Sequence, residues 1–508
     1  MSTMKIGWAE TNITPEKKVS LAGQFAERIS EYVEKPLTCT ALAIECGGDQ
    51  VVFAACELVN VSVKLGERIR AAIAEQAAAC GLDVSKVIIS ATHTHTGPVY
   101  AERGTTAAGK APASVGSKGL LTAMLPPGKK YVEKQNVSSN PEIATKEEVS
   151  ALLTEKIGEA ILKAWNAREE GGSFTNAFAR AAVGMCRRAC YNDGSAAMWG
   201  ETNTAVFTQD EGGSDTGVEM LYVYNKEKKL TGVVANIACP AQCVQHRLFV
   251  SPDYWGEAKK LIREHFGEDL FLLPLCAPAG DQCPVDIVRW VEPESDVFDP
   301  NIERVNPVKR KADPSMFDLA GMRKAGKRVA HEIIETFEEG LDEAQEDIEF
   351  VHHVKNVKLP LRRTTRADLH KAEERIRTYL ERKQGDVDYN DAAHLQVDLG
   401  TVRRFYLQET CDILNVEVHT LRIGSVAFAT NPFELFLDYG NQIRARSNAE
   451  QTFLIQLACG AEGYLPTEKA EQGGHYSAFV ASGQVGHVGG EQLVRETLED
   501  INTSLFPY

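Results

Sequence analysis

The sequence predicts an α/β fold, with some α+β segregation, in which mixed β-sheets pack against helices. Three observations predict it. Apolar runs of strand length, such as "GVVANIAC" and "LFLLPLCAPAG", are cut short by turn-forming residues. Longer stretches, such as "EEVSALLTEKIGEAILKAWNA", carry apolar residues three and four apart, the spacing of one helix face. The two kinds of segment are interleaved along the chain, which favours layered sheet-and-helix architectures.

In order, "TALAIECGGDQVVFAACELV" holds two apolar runs around Gly47-Gly48-Asp49, a hairpin signal. "VKLGERIRAAIAEQAAACG" has helical spacing and stops at Gly81. "VIISATHTHTGP" then adds a strand, giving a β-β-α-β unit. Residues 102–140 are rich in Gly, Ala, Ser, Pro and Lys and predict a mobile insertion or a lid. Amphipathic helices follow in "EEVSALLTEKIGEAILKAWNA", "DYWGEAKKLIREHFG" and "SMFDLAGMRKAGKRVAHEIIETFEEG". Residues 366–384 are so charged that a solvated surface helix is expected. Strands return in "VEVHTLRIGSVAFAT" and "TFLIQLACG", before the loop region "GAEGYLPTEKAEQGGHYSA". With no internal repeat and no linker, residues 1–508 are expected to form a single large domain.

Composition narrows the class of function. Of 508 residues, 43% are hydrophobic and 25% charged, the profile of a soluble globular protein. A net charge of -16 argues against nucleic acid or anionic membrane as partner and leaves a small-molecule substrate, with a homo-oligomer compatible. No apolar run approaches the ~18 residues of a transmembrane segment. The start, "MSTMKIGWAETNITP", lacks the basic and apolar regions of an export signal. The 12 cysteines form no pair of C-x-x-C units, so buried thiols in a cytoplasmic protein are expected rather than disulfides or a Cys-only zinc site.

Four loops after apolar runs carry chemistry. In "THTHTGP", His93 and His95 are two apart, so on an extended chain both imidazoles face one way. They are either ligands of a metal such as zinc or two satisfied histidines. "LCAPAGDQCPVD" leads a buried strand into Gly280-Asp281-Gln282-Cys283, where Cys283 is a nucleophile, a metal ligand or a buried thiol. In "ATNPFELFLDYG", Glu434 is a helix-capping acid or a ligand. In "GAEGYLPT", Tyr464 is a packed aromatic or part of a site.

Taken together, "GWAETNITP", "ATHTHTGP", "AGDQCP", "NPFE" and "GYLPT" occur in the order of the landmarks of one family. The sequence resembles the neutral/alkaline non-lysosomal ceramidase superfamily, in its catalytic domain, over nearly the whole chain. The resemblance implies that fold, a Zn2+ cofactor and hydrolysis of an amide bond. It implies His93, Glu434 and Tyr464 as zinc ligands, with His95 beside the substrate and Arg187 of "MCRRACYNDG" facing it. Arg188, Gln282 and Tyr476 join as candidate substrate contacts. Two departures stand out. Where the family has a further ligand histidine, this chain reads Cys239-Pro240-Ala241, and His246 is the imidazole offered in its place, with Gln242 or water as alternatives. The family's essential serine is here Cys283, a group expected to be thiolate near zinc or an arginine. The ceramidases proper carry a carboxy-terminal immunoglobulin-like domain that is not expected here. A small or polar acylated substrate is therefore expected rather than ceramide. An esterase, lactonase or glycosidase on the same site, or a non-catalytic metal- or sugar-binding relative, are the alternatives.

Overall fold

The computed structural model describes residues 2–24, 27–102, 117–132, 140–289 and 317–507. The strands that build its two main sheets and its site are β1 (Ser2–Asn12), β2 (Thr38–Cys46), β3 (Asp49–Cys56), β4 (Val87–Ala91), β5 (Glu169–Arg180), β6 (Gly217–Tyr224), β7 (Leu230–Ile237), β8 (Phe271–Cys276), β9 (Phe350–Pro360), β10 (Ile413–Ile423), β11 (Val426–Thr430), β12 (Glu434–Leu435), β13 (Gln451–Ile455) and β14 (Tyr464–Leu465). Among the described residues the larger sheet runs β8-β7-β6-β5-β1-β2-β3-β4, and the short strand Asp347–Ile348 adds to β1 as its ninth member. The smaller sheet runs β9-β10-β11-β13. Both sheets are mixed: β3–β4, β7–β8 and β11–β13 are parallel, whereas most other neighbours are antiparallel.

The two sheets face each other. Side chains alternate across a strand, so β2 sends Leu42 and Ile44 to the inter-sheet core and Ala41 and Ala43 to the opposite face. Phe53 of the larger sheet meets Phe428 of the smaller at 5.1 Å, and Phe428 stacks on Phe453 at 4.5 Å. Helices cover the outer faces. They are α1 (Val63–Ala79), α2 (Ser117–Met124), α3 (Lys146–Asn166), α4 (Tyr254–Phe266), α5 (Asp318–Glu339), α6 (Arg366–Arg382), α7 (Tyr389–His394), α8 (Gln396–Leu407), α9 (Leu437–Arg446), α10 (Glu468–Gly473) and α11 (His487–Glu499). The α1–α3 and α4–α5 pairs bury their apolar stripes on the larger sheet, and α9 and α11 cover the smaller one. The result is a helix-sheet-sheet-helix stack, the mixed-sheet class that the sequence predicts.

Local signals explain the element ends. Gly47 and Gly48 both take positive φ (63° and 88°), as a tight two-residue hairpin between β2 and β3 requires. Ser62 caps α1 by accepting from the Leu65 amide, and Thr145 with Glu148 forms a reciprocal capping box on α3.

Two expectations change. The 366–384 helix is more than a solvated surface element. Leu369, Ala372, Ile376 and Leu380 recur at helical spacing, are buried, and pack on Leu399 and Val402 of α8 and Leu121 of α2. The charge seen in sequence belongs to the other face. This helical group has its own small core, separate from those of the sheets. Within the expected 102–140 insertion, α2 is an ordered part of that group, while 103–116 and 133–139 lie outside the described residues.

Candidate active site

The carboxyl ends of the parallel strands converge, the place where open α/β sheets bind ligands. His93 and His95 follow β4, Gln242 and Gln245 follow β7, Gly280–Cys283 follows β8, Glu434 follows β11, and Tyr464 follows β13. The alternation T-H-T-H-T has a direct structural reading. Thr94 and Thr96 turn away from the site and donate to the Ser251 carbonyl at 2.9 and 2.8 Å. His93 and His95 turn toward each other, with Nε2 atoms 3.4 Å apart. The amide of His95 donates to the Ala241 carbonyl at 3.1 Å, which ties this loop to the one after β7.

His93 sits at φ 63°, a left-handed conformation uncommon for a non-glycine residue. Trp199, His475 and Ser477, on the walls of the same region or next to them, also have positive φ. Backbone strain of this kind clusters at functional sites. His93 Nδ1 donates to the Val59 carbonyl at 2.7 Å. That bond orients the ring and turns Nε2 to the Glu434 carboxylate, 3.3 Å away. Ligating histidines are oriented by such a carbonyl bond.

Glu434 and Tyr464 are paired directly in the two-residue parallel ladder β12–β14, and the Tyr464 hydroxyl hydrogen-bonds the Glu434 side chain. Gly280 allows β12 to approach, since a Cβ there would lie 2.3 Å from the Glu434 carbonyl oxygen. Gln456 accepts from the amides of both Ala279 and Leu435, and Asp281 accepts from the amide of Leu437. The Gly280–Asp281 turn and β12 are thereby locked together.

Arg187 donates to the Gly280 carbonyl at 2.9 Å and lies 3.4 Å from the Tyr464 hydroxyl. Burial opposes its charge, but Tyr464, Cys283 and Glu434 outweigh burial and keep the guanidinium ionised. Burial would likewise raise the Glu434 carboxyl, yet His93, Arg187 and Tyr464 hold it below its usual range. Burial, with help from His93, Arg28 and Arg187, pushes His95 well below the ordinary imidazole value. Burial and the nearby Glu434 push the Tyr464 phenol well up. Tyr476 rises to about 12 for the same two reasons, burial first.

The structure thus brings His93, His95, Arg187, Glu434, Tyr464 and Tyr476 together. Of the other candidates, Cys283 neighbours Arg187 and the rest lie elsewhere. His246 stacks on Phe317 at 5.0 Å and faces Asp318 at 3.4 Å, away from the cavity walls. The residues that line the cavity from its own loop are Gln242 and Gln245. Arg188 is fully buried and grips both Glu211 oxygens, the carbonyls of Gly474 and Tyr476, and the Ser477 hydroxyl. It positions Tyr476 and does not face the cavity. Gln282 donates to the Gly213 carbonyl at 3.0 Å. Cys283 lies in an apolar cluster with Ala189, Met198 and Trp199, its thiol 3.3 Å from the Val285 carbonyl. Burial pushes the thiol up, and Arg187 only partly offsets it.

Sequence reasoning missed the upper part of the site. The cavity, about 470 Å³, is also lined by Gln24, Trp199 and His475, and by Asn390, His394 and Gln396 from α7–α8. Asn390, His394 and Gln396 lie in a charged stretch that reads as surface. A second donor cluster, Glu417, His419 and Cys459, has its atoms within 4.8 Å of one another. There Arg70 bonds both Glu417 oxygens at 3.0 and 2.6 Å and reaches the Cys459 sulfur at 3.4 Å. That guanidinium already answers the cluster's charge.

No family model matches the chain, and no curated protein matches it. Among solved structures, the crystal structure of neutral ceramidase from Pseudomonas aeruginosa aligns with 98% of this chain and 74% of its own, with a TM-score of 0.63 and 16% identity. A ceramidase complexed with C2 aligns with 98% of this chain and 75% of its own, with a TM-score of 0.64 and 14% identity. The chain has a neutral ceramidase-like fold, as the ordered motifs implied. No described helix is long and apolar enough to cross a membrane.

Proposed function

We propose that this protein is a zinc-dependent hydrolase that cleaves the amide C–N bond of a small, polar, acylated substrate, acting as one catalytic unit in the cytoplasm. The observation that carries the reading is the meeting of His93, Glu434 and Tyr464 beside His95 and Arg187 at one end of a cavity. Imidazole nitrogen, carboxylate and phenol oxygen fit zinc, and three protein ligands leave room for substrate or water. His93 Nε2 and a Glu434 oxygen, 3.3 Å apart, are close enough to share one cation. The likeness to the ceramidase structures supports hydrolase chemistry on this fold.

A zinc ion held by His93, Glu434 and Tyr464 would supply Lewis acidity for the carbonyl and make water more acidic. The remaining work falls to side chains. Arg187, ionised and aimed past Tyr464, donates to the carbonyl oxygen as negative charge develops on it. His95, neutral because it is buried, accepts a proton at Nε2 and hands it to the departing nitrogen. Tyr464 holds the Glu434 carboxylate in place. Cys283, protonated and behind Arg187, is a positioning residue, and water is the nucleophile.

Metal analysis of the purified protein, joined to assays on matched amide, ester and glycoside substrates, tests this. About one zinc per chain, with amide cleavage lost on chelation, is expected. Zinc with cleavage of the ester or glycoside alone assigns a different hydrolase, and a protein without metal is a binding relative instead.

A further inference from the structure

We infer that the cavity is built for a neutral, polyhydroxylated amide, an N-acylated sugar-like molecule rather than a lipid or an ionised metabolite. The inference rests on the hydrolase reading and deepens it.

Five primary amides line the cavity: Gln24, Gln242, Gln245, Asn390 and Gln396. Each offers a donor and an acceptor in one plane, the pattern that matches adjacent hydroxyls. Two of them await a partner. Both amide atoms of Gln24 and the Nε2 of Gln242 are buried without a hydrogen bond among the described residues, and Gln242 is only 1% exposed. Buried polar atoms in native proteins are nearly always satisfied, so unmet amides on a cavity wall point to a ligand that meets them.

Charge points the same way. Among the described residues no Asp, Glu or Lys lines the cavity, and Arg187 is its one permanent charge, donating to the Gly280 carbonyl and lying 3.4 Å from the Tyr464 hydroxyl. A cationic group would find no counter-charge there, and an anionic one would compete with the scissile carbonyl for Arg187. Trp199, Tyr476 and Phe479 offer ring faces for the C–H face of a cyclic polyol. An alkyl chain in the same space would strip water from the amides and return no hydrogen bond. Asn390 and Gln396 come from α7–α8, part of the helical group with its own core, so the roof of the site is a separable specificity element.

Calorimetry and turnover on the full-length protein with three uncharged probes test this: an N-acetylhexosamine, N-hexylacetamide and N-acetylsphingosine. The hexosamine is expected to bind at least about tenfold more tightly than N-hexylacetamide. Gln242→Leu and Gln396→Leu are each expected to weaken the hexosamine by about tenfold while leaving N-hexylacetamide within about twofold. Gln396 lies on the helical roof, so it serves if the Gln242 variant does not fold. Equal or tighter binding of N-hexylacetamide or N-acetylsphingosine overturns the inference, as does a folded variant indifferent to the change. Hexosamine binding without release of acetate would sink the hydrolase reading alone. Acetate released equally well from N-hexylacetamide would sink only this inference.

Discussion

Glu434 and Tyr464 stand directly opposite each other in a two-residue parallel ladder, so both side chains leave the same face and the phenol bonds the carboxylate. Neither residue is near the other in sequence. Their pairing depends on β11 and β13 running side by side, and on Gly280 letting the ladder approach the turn after β8. His93 closes the arrangement from the other sheet, 3.3 Å from Glu434.

His93→Ala is expected to lose metal and activity together, because it removes the one ring nitrogen already oriented toward Glu434. Metal content and turnover on the same sample check this. A variant that keeps stoichiometric metal would contradict the ligand assignment.

For Cys283, the apolar setting and raised thiol argue against a nucleophile. Cys283→Ser should keep metal and turn over within about tenfold of the wild type, and thiol alkylation at neutral pH should be slow. A covalent acyl-cysteine trapped during turnover would show the thiol attacks after all.

Gly23 lies against the site from the opposite side. Its φ is 94°, and a Cβ there would fall 2.4 Å from Cγ of His95. Gly23→Ala should cost about 1–2 kcal/mol in backbone strain alone and displace the imidazole. Lower kcat with unchanged metal content is the expected signature; wild-type kcat would remove His95 from the mechanism.

The region around His246 behaves as structure. Burial would raise the Asp318 carboxyl, but nearby His246 and the hydrogen-bonded Arg247 guanidinium hold it below its ordinary 3.8. A depressed folded value gives stability that is full above about pH 4 and is lost as pH falls through the lower folded value. After discounting for water screening, Asp318→Asn should cost about 1 kcal/mol at pH 7, with the gap closing below pH 4. Urea unfolding at the two pH values measures it. His246→Ala should lower stability and keep metal; loss of metal would restore His246 as a ligand.

The sequence was most legible where one short run encodes both a strand and its exit. Val87–Ala91 into T-H-T-H-T is such a run, and Phe271–Cys276 into Gly280–Cys283 is another. Four of the five ordered motifs mark the carboxyl ends of parallel strands, and the first, GWAETNITP, runs along and past β1. His246 was misleading for a physical reason: the loop after β7 turns Gln242 and Gln245 to the cavity and sends His246 to Asp318. Charge on one face of α6 hid the apolar stripe that joins it to α8. The amides of the roof could not be read at all, since their meaning arises only when α7 and α8 are set over strands from distant parts of the chain.

The central claim is that His93, Glu434 and Tyr464 hold one zinc ion. An X-ray structure with anomalous data on both sides of the zinc edge tests it most directly. The account expects a single strong peak within about 2.0–2.2 Å of His93 Nε2, a Glu434 oxygen and the Tyr464 hydroxyl oxygen. A peak lodged instead at Glu417, His419 and Cys459, or none in crystals grown with zinc, would contradict it.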